Sequence, residues 1–156
     1  MKHLLVAVLA ASALAPAAMA GEINVSYSPD FAEKLSKEYG EREGTYLSER
    51  VKKDLETELA RGGVDVARID VTIVDATPSR PTFKQGSDTP GLDMHRSVSL
   101  GGMKLKAVAY DAAGNAGEAF EYKWYESDIT QAGITTWHDA RRASGRFASR
   151  FAKALD

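Results

Sequence analysis

The sequence predicts a fold of the α/β class, an α+β sandwich of two layers in which about four strands form a mixed, mainly antiparallel sheet with the helices packed largely on one face. Three observations support this prediction. Short segments alternate apolar and polar residues, as half-buried strands do. Longer segments repeat apolar residues at the helical period, as amphipathic helices do. The order of these segments is strand, helices, strand, long loop, two strands and a final helix.

The first residues, 1–20, form a separate segment. A lysine precedes an apolar run, 4–14, and an Ala-x-Ala triplet ends at Ala20. This pattern is typical of a secretory signal peptide, so we expect cleavage between Ala20 and Gly21. There is no cysteine to accept a lipid anchor, and no later apolar run reaches the ~20 residues of a membrane helix. The sequence therefore predicts a single domain, 21–156, exported to a bacterial periplasm without a lipid or transmembrane anchor.

Composition excludes several classes of protein. The whole chain carries 20 basic and 22 acidic side chains, for a net charge of -2, and loss of the leader would remove one lysine and leave 19 against 22, or −3. This balance predicts no general affinity for nucleic acid. The chain has no cysteine, which excludes disulfide scaffolds, thiol redox chemistry and cysteine-ligated zinc. We therefore expect a domain that is stabilised by packing alone.

The first strand and a short helix are predicted at the start of the domain. Residues 22–28 alternate strictly between apolar and polar side chains, which predicts a half-buried strand. Asp30 and Glu33 have the spacing of a capping box, so we expect a short helix to begin there. Gly40 can end this helix in a left-handed conformation.

A longer helix and a second strand follow. Apolar residues recur near the helical period over 45–61, and Gly62 and Gly63 then stop the helix. Its predicted apolar positions are Tyr46, Leu47, Val51, Leu55 and Leu59. Alternation returns over 66–74, which predicts a second strand that pairs in parallel with the first.

The next segment, 75–96, shows neither the strand period nor the helix period and contains three of the five prolines. A connection of this length is uncommon in a compact domain and is typically a binding loop or a disordered one. Arg80 and Phe83 are residue types that anchor interfaces, and the neighbouring prolines lower the cost of ordering the loop. We therefore predict that this loop is a recognition surface, with a plain linker as the alternative.

Two further strands and a turn are predicted after the loop. Apolar positions alternate over 98–109, but their parity changes at Gly101 and Gly102. This change favours a glycine bulge over a tight two-residue hairpin. Residues 111–117 have the composition of a turn, and 120–125 alternate again, so we expect the strands on either side to form a hairpin.

The last helix has the clearest pattern. Thr136 and Asp139 have capping-box spacing, and the helical period runs to Leu155. The apolar face, which we expect to dock on the sheet, comprises Trp137, Ala140, Ser144, Phe147, Phe151 and Leu155. The basic residues on the other side are Arg142, Arg146, Arg150 and Lys153. These four residues are either a solvated helix surface or a ridge that binds an anionic partner.

A small periplasmic hydrolase is the alternative to a binding protein. Its polar site would combine Asp93, His95, Asp128 and His138. These residues lack the fixed spacing that identifies a metal site, such as His-Glu-x-x-His on one helix. His138 and Asp139 also fit an ordinary helix start, where an acidic residue favours the positive end of the dipole. We therefore expect neither a metal nor an organic cofactor, and we assign no catalytic residue.

Two stretches carry a resemblance to known proteins: VTIVDATPSRPTF (Val71–Phe83) and SDITQAGITTWHDA (Ser127–Ala140). With the leader and the order of elements, they resemble the small α/β domains of Gram-negative envelope accessory proteins, such as the N-terminal domain of TolB and the penicillin-binding-protein activator LpoB. The chain also resembles uncharacterised periplasmic families with the same layout. It departs from the lipoprotein members, which have a lipid-anchored cysteine. The resemblance implies a binding or assembly role and transfers no functional residue.

These patterns together predict an exported, non-enzymatic binding or envelope-assembly accessory protein. We expect its partner to be another envelope protein or an anionic envelope component. The residues predicted to bind it are Arg80, Phe83, Arg142, Arg146, Arg150 and Lys153.

Overall fold

The computed structural model describes residues 21–156, and the predicted leader with its cleavage site after Ala20 lies outside the described residues. The described chain forms a four-stranded sheet in the order β1-β2-β3-β4. Its strands are β1 (Glu22–Tyr27), β2 (Arg68–Thr77), β3 (Gly102–Tyr110) and β4 (Phe120–Tyr125). Its helices are α1 (Pro29–Lys34), α2 (Glu41–Gly62), α3 (Phe83–Asp88) and α4 (His138–Leu155), with a π-helical turn (Leu35–Tyr39) after α1 and a 3₁₀ turn (Ile129–Gln131) before α4.

The pairing of the strands confirms the predicted fold class. β1 and β2 are parallel, and both β2–β3 and β3–β4 are antiparallel. β3 and β4 form the predicted hairpin. In its turn, the Asp111 carboxylate accepts hydrogen bonds from the backbone N–H groups of Ala113 and Asn115, both at 2.9 Å. The hydrogen bond from the Asn115 side chain, followed by those from the backbone, lowers the pKa of Asp111.

The core lies between one face of the sheet and the helices α2 and α4. Its fully buried side chains include Leu47, Val51, Leu55, Ile69, Ile73, Leu105, Phe147 and Phe151. The other face of the sheet is open and polar. There, Asn24 Nδ2 lies 3.2 Å from Asp70 Oδ1, and Lys106 Nζ lies 3.7 Å from Glu121 Oε1. Burial of apolar area on one face alone is the pattern that strict alternation predicts.

Within residues 21–156, no helix combines the length and the apolar character needed to cross a bilayer.

The helix starts differ from those predicted. Ser28, not Asp30, caps α1, and its Oγ accepts a hydrogen bond from Phe31 N at 3.2 Å. α2 begins at Glu41 rather than at 45, because Gly40 adopts φ 102° and redirects the chain directly into the helix. Tyr46 is 42% exposed on this helix, so its predicted place in the core is wrong.

Much of the predicted loop, 75–96, has regular structure. β2 continues to Thr77, with a register shift between Ile73 and Asp75 that interrupts the apolar alternation. α3 then begins at a capping box in which Gln85 N donates to Thr82 Oγ1 at 3.2 Å and Thr82 N donates to Gln85 Oε1 at 3.0 Å. The prediction that this segment lacks secondary structure is therefore wrong.

Gly101 and Gly102, where β3 begins, form neither the predicted bulge nor a hairpin turn. β3 begins at Gly102, so Val98 lies outside the sheet and is exposed. The glycines are needed for close packing: a Cβ on Gly101 would lie 2.4 Å from Ser79 Oγ, and one on Gly102 would lie 2.3 Å from Trp124 O. Any side chain at either position would collide with these atoms.

α4 docks on the sheet through the predicted apolar face, but its N-terminus differs from the prediction. The N-cap is Trp137, whose side chain makes no capping hydrogen bond. Asp139 points inward and is fully buried. The expected capping box between Thr136 and Asp139 is therefore wrong, because the Asp139 carboxylate bonds to another part of the chain.

Candidate functional site

An open groove of about 590 Å³ lies where the π-helical turn, the start of α2 and α3 meet. Its lining residues are Ser36, Tyr39, Gly40, Glu41, Arg42, Glu43, Tyr46, Phe83 and Lys84. The rim combines the aromatic rings of Tyr46 and Phe83 with charges of both signs. An apolar surface with a few polar groups is the usual composition of a binding site.

The floor of the groove is fixed by Tyr39 and its neighbours. Gly40 N donates to Leu35 O at 2.7 Å, which closes the π-helical turn and buries the Tyr39 ring. The ring packs edge-on against Trp137 with centroids 5.7 Å apart, and Trp137 Nε1 donates to Glu43 Oε2 at 2.6 Å. Burial raises the pKa of the Tyr39 hydroxyl, which favours its neutral form. π-helical turns are frequent at functional sites.

Phe83 lies at the mouth of the groove and is 80% exposed. It is the first residue of α3, whose start is fixed by the capping box of Thr82 and Gln85. The backbone of Phe83 is therefore ordered while its ring stays in water. The ring is thus open to solvent, and the role of Phe83 in recognition stays a prediction.

Arg80, the other residue predicted to bind in this loop, has a structural role. Its Nε donates to Gly133 O at 3.1 Å, and its guanidinium donates to His95 O at 2.9 Å. It therefore connects three segments of the chain. With its donors directed at backbone carbonyls, Arg80 is less available for a ligand than the sequence predicts.

A second exposed apolar side chain belongs to the segment before α4. Ile134 is 81% exposed. Its segment is bound to the loop that precedes Phe83 through Ser79 N, which donates to Thr136 O at 2.7 Å. Two large apolar side chains are thus held in water by segments that are hydrogen-bonded to each other.

The basic residues of α4 do not form one ridge. Arg142 and Arg146 lie over the Trp124 ring at 4.9 and 4.3 Å, and Arg150 lies over the Tyr122 ring at 5.1 Å. We call these three residues the arginine row. Lys153 lies apart from it, beside a small cavity at the C-terminal end of α2. The sequence predicted all four residues on one helix surface but did not show that aromatic rings of β4 support three of them.

Within the arginine row the charges are unevenly paired. Arg142 forms ion pairs with Glu126 at 3.0 Å and with Asp139 at 3.5 Å. Among residues 21–156, Arg146 and Arg150 have no carboxylate within ion-pair distance. Stacking on aromatic rings leaves the edges of a guanidinium free to donate hydrogen bonds.

A polar cluster occupies one end of the open face of the sheet. Asp75 accepts hydrogen bonds from Lys34 Nζ and from the Tyr125 hydroxyl, both at 2.7 Å. Its hydrogen bond to Asp75 raises the pKa of Lys34. Burial and the hydrogen bond to Asp75 raise the pKa of Tyr125. The three groups thus stabilise one another through hydrogen bonds to the Asp75 carboxylate.

The four residues of the hydrolase alternative do not form a connected site. The Asp93 carboxylate accepts the backbone N–H groups of Arg96 and His95, which lowers its pKa. The Asp128 carboxylate accepts the hydroxyl and N–H of Thr130, which also lowers its pKa. Both carboxylates thus organise local turns. Within residues 21–156, no hydrogen bond joins either carboxylate to the imidazole ring of His95 or His138, and no group of three acidic or histidine side chains could hold a metal.

A fully buried polar pair lies near the start of α4. Ser79 Oγ donates to Asp139 Oδ2 at 2.7 Å, and Gly133 N donates to the same oxygen at 3.0 Å. Asp139 N in turn donates to Ser79 Oγ at 3.2 Å. These bonds join the loop of Ser79 to the start of α4. Ser79 and Asp139 are both fully buried, so the pair is not accessible to a substrate.

The sequence pattern does not identify Tyr39 and Tyr46 as groove residues. The exposure of Tyr46 was predictable, because consecutive residues of a helix point about 100° apart and its neighbour Leu47 faces the core. No signal existed for Tyr39, because its position depends on a π-helical turn that the side-chain pattern does not encode.

Comparison with protein-family models finds no match, and comparisons with curated proteins and with solved structures find no significant match.

Proposed function

We propose that this chain is an exported, non-enzymatic binding or envelope-assembly accessory protein, and that its groove binds another protein of the cell envelope. The leader pattern of 1–20 supports export. The aromatic rim of the groove supports binding, since exposed apolar groups next to a cavity mark interaction sites. The mixed charges of Glu41, Arg42 and Lys84 favour a protein surface over a purely anionic ligand.

The exposure of Phe83 is the observation that carries this proposal. A phenylalanine side chain gains about 1.5–3 kcal/mol when it is buried, so an exposed ring leaves that free energy unused. The ring is also attached to an ordered helix, which lowers the entropic cost of binding. Aromatic residues that bury a large apolar area at a low entropic cost are the usual anchors of interfaces.

Replacing Phe83 with serine tests the proposal without disturbing the loop. We expect Phe83→Ser to keep the thermal midpoint of the parent, because the ring is exposed, and to lower recovery of the envelope partner by about tenfold or more. Recovery is measured by cross-linking in cells followed by mass spectrometry. Arg80 is left in place, because its loss would loosen the segments that it connects.

Ile129→Ser is the matched control. Ile129 is also exposed and apolar but does not line the groove, so this variant should keep the partner. Equal recovery with parent and Phe83→Ser would contradict the groove as the binding site. A hydrolytic activity that survives Phe83→Ser and is lost in His95→Ala and His138→Ala would favour the enzyme instead.

Export is tested separately by the N-terminus of the purified protein. We expect mass spectrometry of a periplasmic fraction to find Gly21 as the first residue, since small residues occupy the positions that signal peptidase requires. A chain that keeps 1–20 would contradict export with cleavage and would leave the binding test intact.

A further inference from the structure

The outer edge of β4 is an unpaired sheet edge. Within residues 21–156, β4 pairs only with β3. Glu126 N donates to Gly101 O at 2.9 Å, which makes these two residues a hydrogen-bonded pair of the ladder. Hydrogen-bonded and non-hydrogen-bonded pairs alternate along an antiparallel ladder. The backbone N–H and C=O groups of Glu121, Lys123 and Tyr125 therefore point away from β3, outward from the edge. An extended segment can add to such a row of groups.

The charges on both sides of this edge are mainly positive. On the helix side lies the arginine row, stacked on Trp124 and Tyr122. On the open side lies Lys123, and Glu121 there is paired with Lys106 at 3.7 Å. A strand added to β4 would point alternate side chains at the arginine row and the others at Lys123. An acidic strand complements this edge.

A second copy of the chain does not fit the edge. Antiparallel pairing of two β4 strands about a two-fold axis would place both helix layers on the same face. The two arginine rows would then be adjacent, and the lysines at position 123 would also come close. Like charges opposed across strands are destabilising. The occupant must therefore carry acidic side chains of its own.

We propose that the β4 edge binds an acidic, extended segment of a partner protein by strand addition, with the arginine row holding its carboxylates. The stacked guanidiniums are already oriented, and Arg146 and Arg150 have free donors for carboxylate oxygens. This surface is distinct from the groove, and the proposal does not rest on the function proposed for the groove.

The test measures binding of a fluorescent peptide of about eight residues, the length of an ordinary strand, in which glutamate and threonine alternate. The purified domain should bind this peptide, and a peptide with a central proline should not bind, since it cannot complete the ladder. Lysine in place of every glutamate should also abolish binding. These comparisons use the unaltered protein, so they do not depend on the folding of a variant.

Two variants separate backbone pairing from charge. Lys123→Pro removes one outward N–H and should abolish binding, whereas Lys123→Gln removes only the charge and should weaken it. Arg146→Gln with Arg150→Gln should weaken binding about tenfold or more and reduce its salt dependence. Lys52→Gln with Lys53→Gln removes the same charge from the exposed side of α2 and should leave binding unchanged.

Three results would overturn the proposal. One is equal binding of the peptides with and without proline. Another is the absence of binding at any peptide concentration tested, which would mean that the cations serve only to keep the edge unpaired. The third is tight binding to vesicles rich in anionic phospholipid, provided that Lys123→Pro does not weaken this binding and the peptide does not compete with it. This result would assign the arginine row to a membrane surface.

Discussion

The two ends of α4 are attached to the rest of the domain by different interactions. Near its start, Asp139 is buried and accepts hydrogen bonds from Ser79 and Gly133. Toward its end, Phe147 and Phe151 are buried and nearly parallel, with ring centroids 5.7 Å apart, and both contact Phe120. One end thus depends on directional polar bonds and the other on apolar area.

This difference shows which interactions a sequence can reveal. Apolar packing requires only that side chains recur on one face, and this recurrence is visible within α4 itself. A buried carboxylate requires particular donors, and here the two nearest come from a loop 60 residues away and from the segment before the helix. A buried polar group must be paired, but the sequence does not identify its partner.

The largest loss of stability is expected at the apolar end of α4. Phe151→Ala should lower the free energy of unfolding by about 3–5 kcal/mol, since it opens a cavity between the helix and β4. Denaturant unfolding followed by circular dichroism measures this change. Phe83→Ala is the matched control, because it truncates the same side chain in water and should change stability by no more than about 0.5 kcal/mol. Equal stabilities of the two variants would show that α4 is not docked as described.

A smaller loss of stability is expected at the polar end of α4. Ser79→Ala should cost about 1–3 kcal/mol, because it leaves the Asp139 carboxylate with one donor fewer in a buried site. A double-mutant cycle with Asp139→Ala should give a coupling free energy of about 0.5–3 kcal/mol, since the two groups are in direct contact. Additive effects would contradict the pairing. Amide exchange at Gly133 should also accelerate in Asp139→Ala, which loss of apolar packing alone would not predict.

The smallest effect is expected on the exposed side of the helix. Arg146→Ala should lower stability by about 0.5–1 kcal/mol, because the guanidinium stacks on Trp124. The sequence alone predicts almost no effect, since it places Arg146 in water. Among residues 21–156, Lys153 lies over no aromatic ring, so Lys153→Ala should leave stability unchanged. A change of Trp124 fluorescence in Arg146→Ala, absent from Lys153→Ala, would confirm the stacking in solution.

The fold was predictable because its core follows local periods. The alternation of 22–28 and 66–74 and the helical period of α2 and α4 each report the buried face directly. The errors fall where a local period is broken by contacts distant in sequence. The register shift after Ile73 breaks the apolar alternation, so the sequence did not predict the last residues of β2. The capping box of Thr82 lies in a segment that was predicted to be a loop because of its prolines.

The candidate site was predictable only in part. Phe83 was predicted to bind because its residue type suits an interface, and the structure shows its ring exposed at the groove. Arg80 was assigned the same role, but its hydrogen bonds to backbone carbonyls are invisible in the sequence. The arginine row was identified by its charge, whereas its support by Trp124 and Tyr122 depends on how the helix lies across the sheet.

The π-helical turn is a position where the shape of the groove can change without a change in the core. Such a turn is an α-helix with one additional residue, accommodated by the hydrogen bond from Gly40 N to Leu35 O. A chain shorter by one residue within 35–39 could close an ordinary α-helical turn there and rotate Tyr39 by about 100° away from the groove floor. α2 and the core beneath it would keep their positions. Insertion and deletion at this point therefore offer a route by which related chains could acquire different grooves on the same domain.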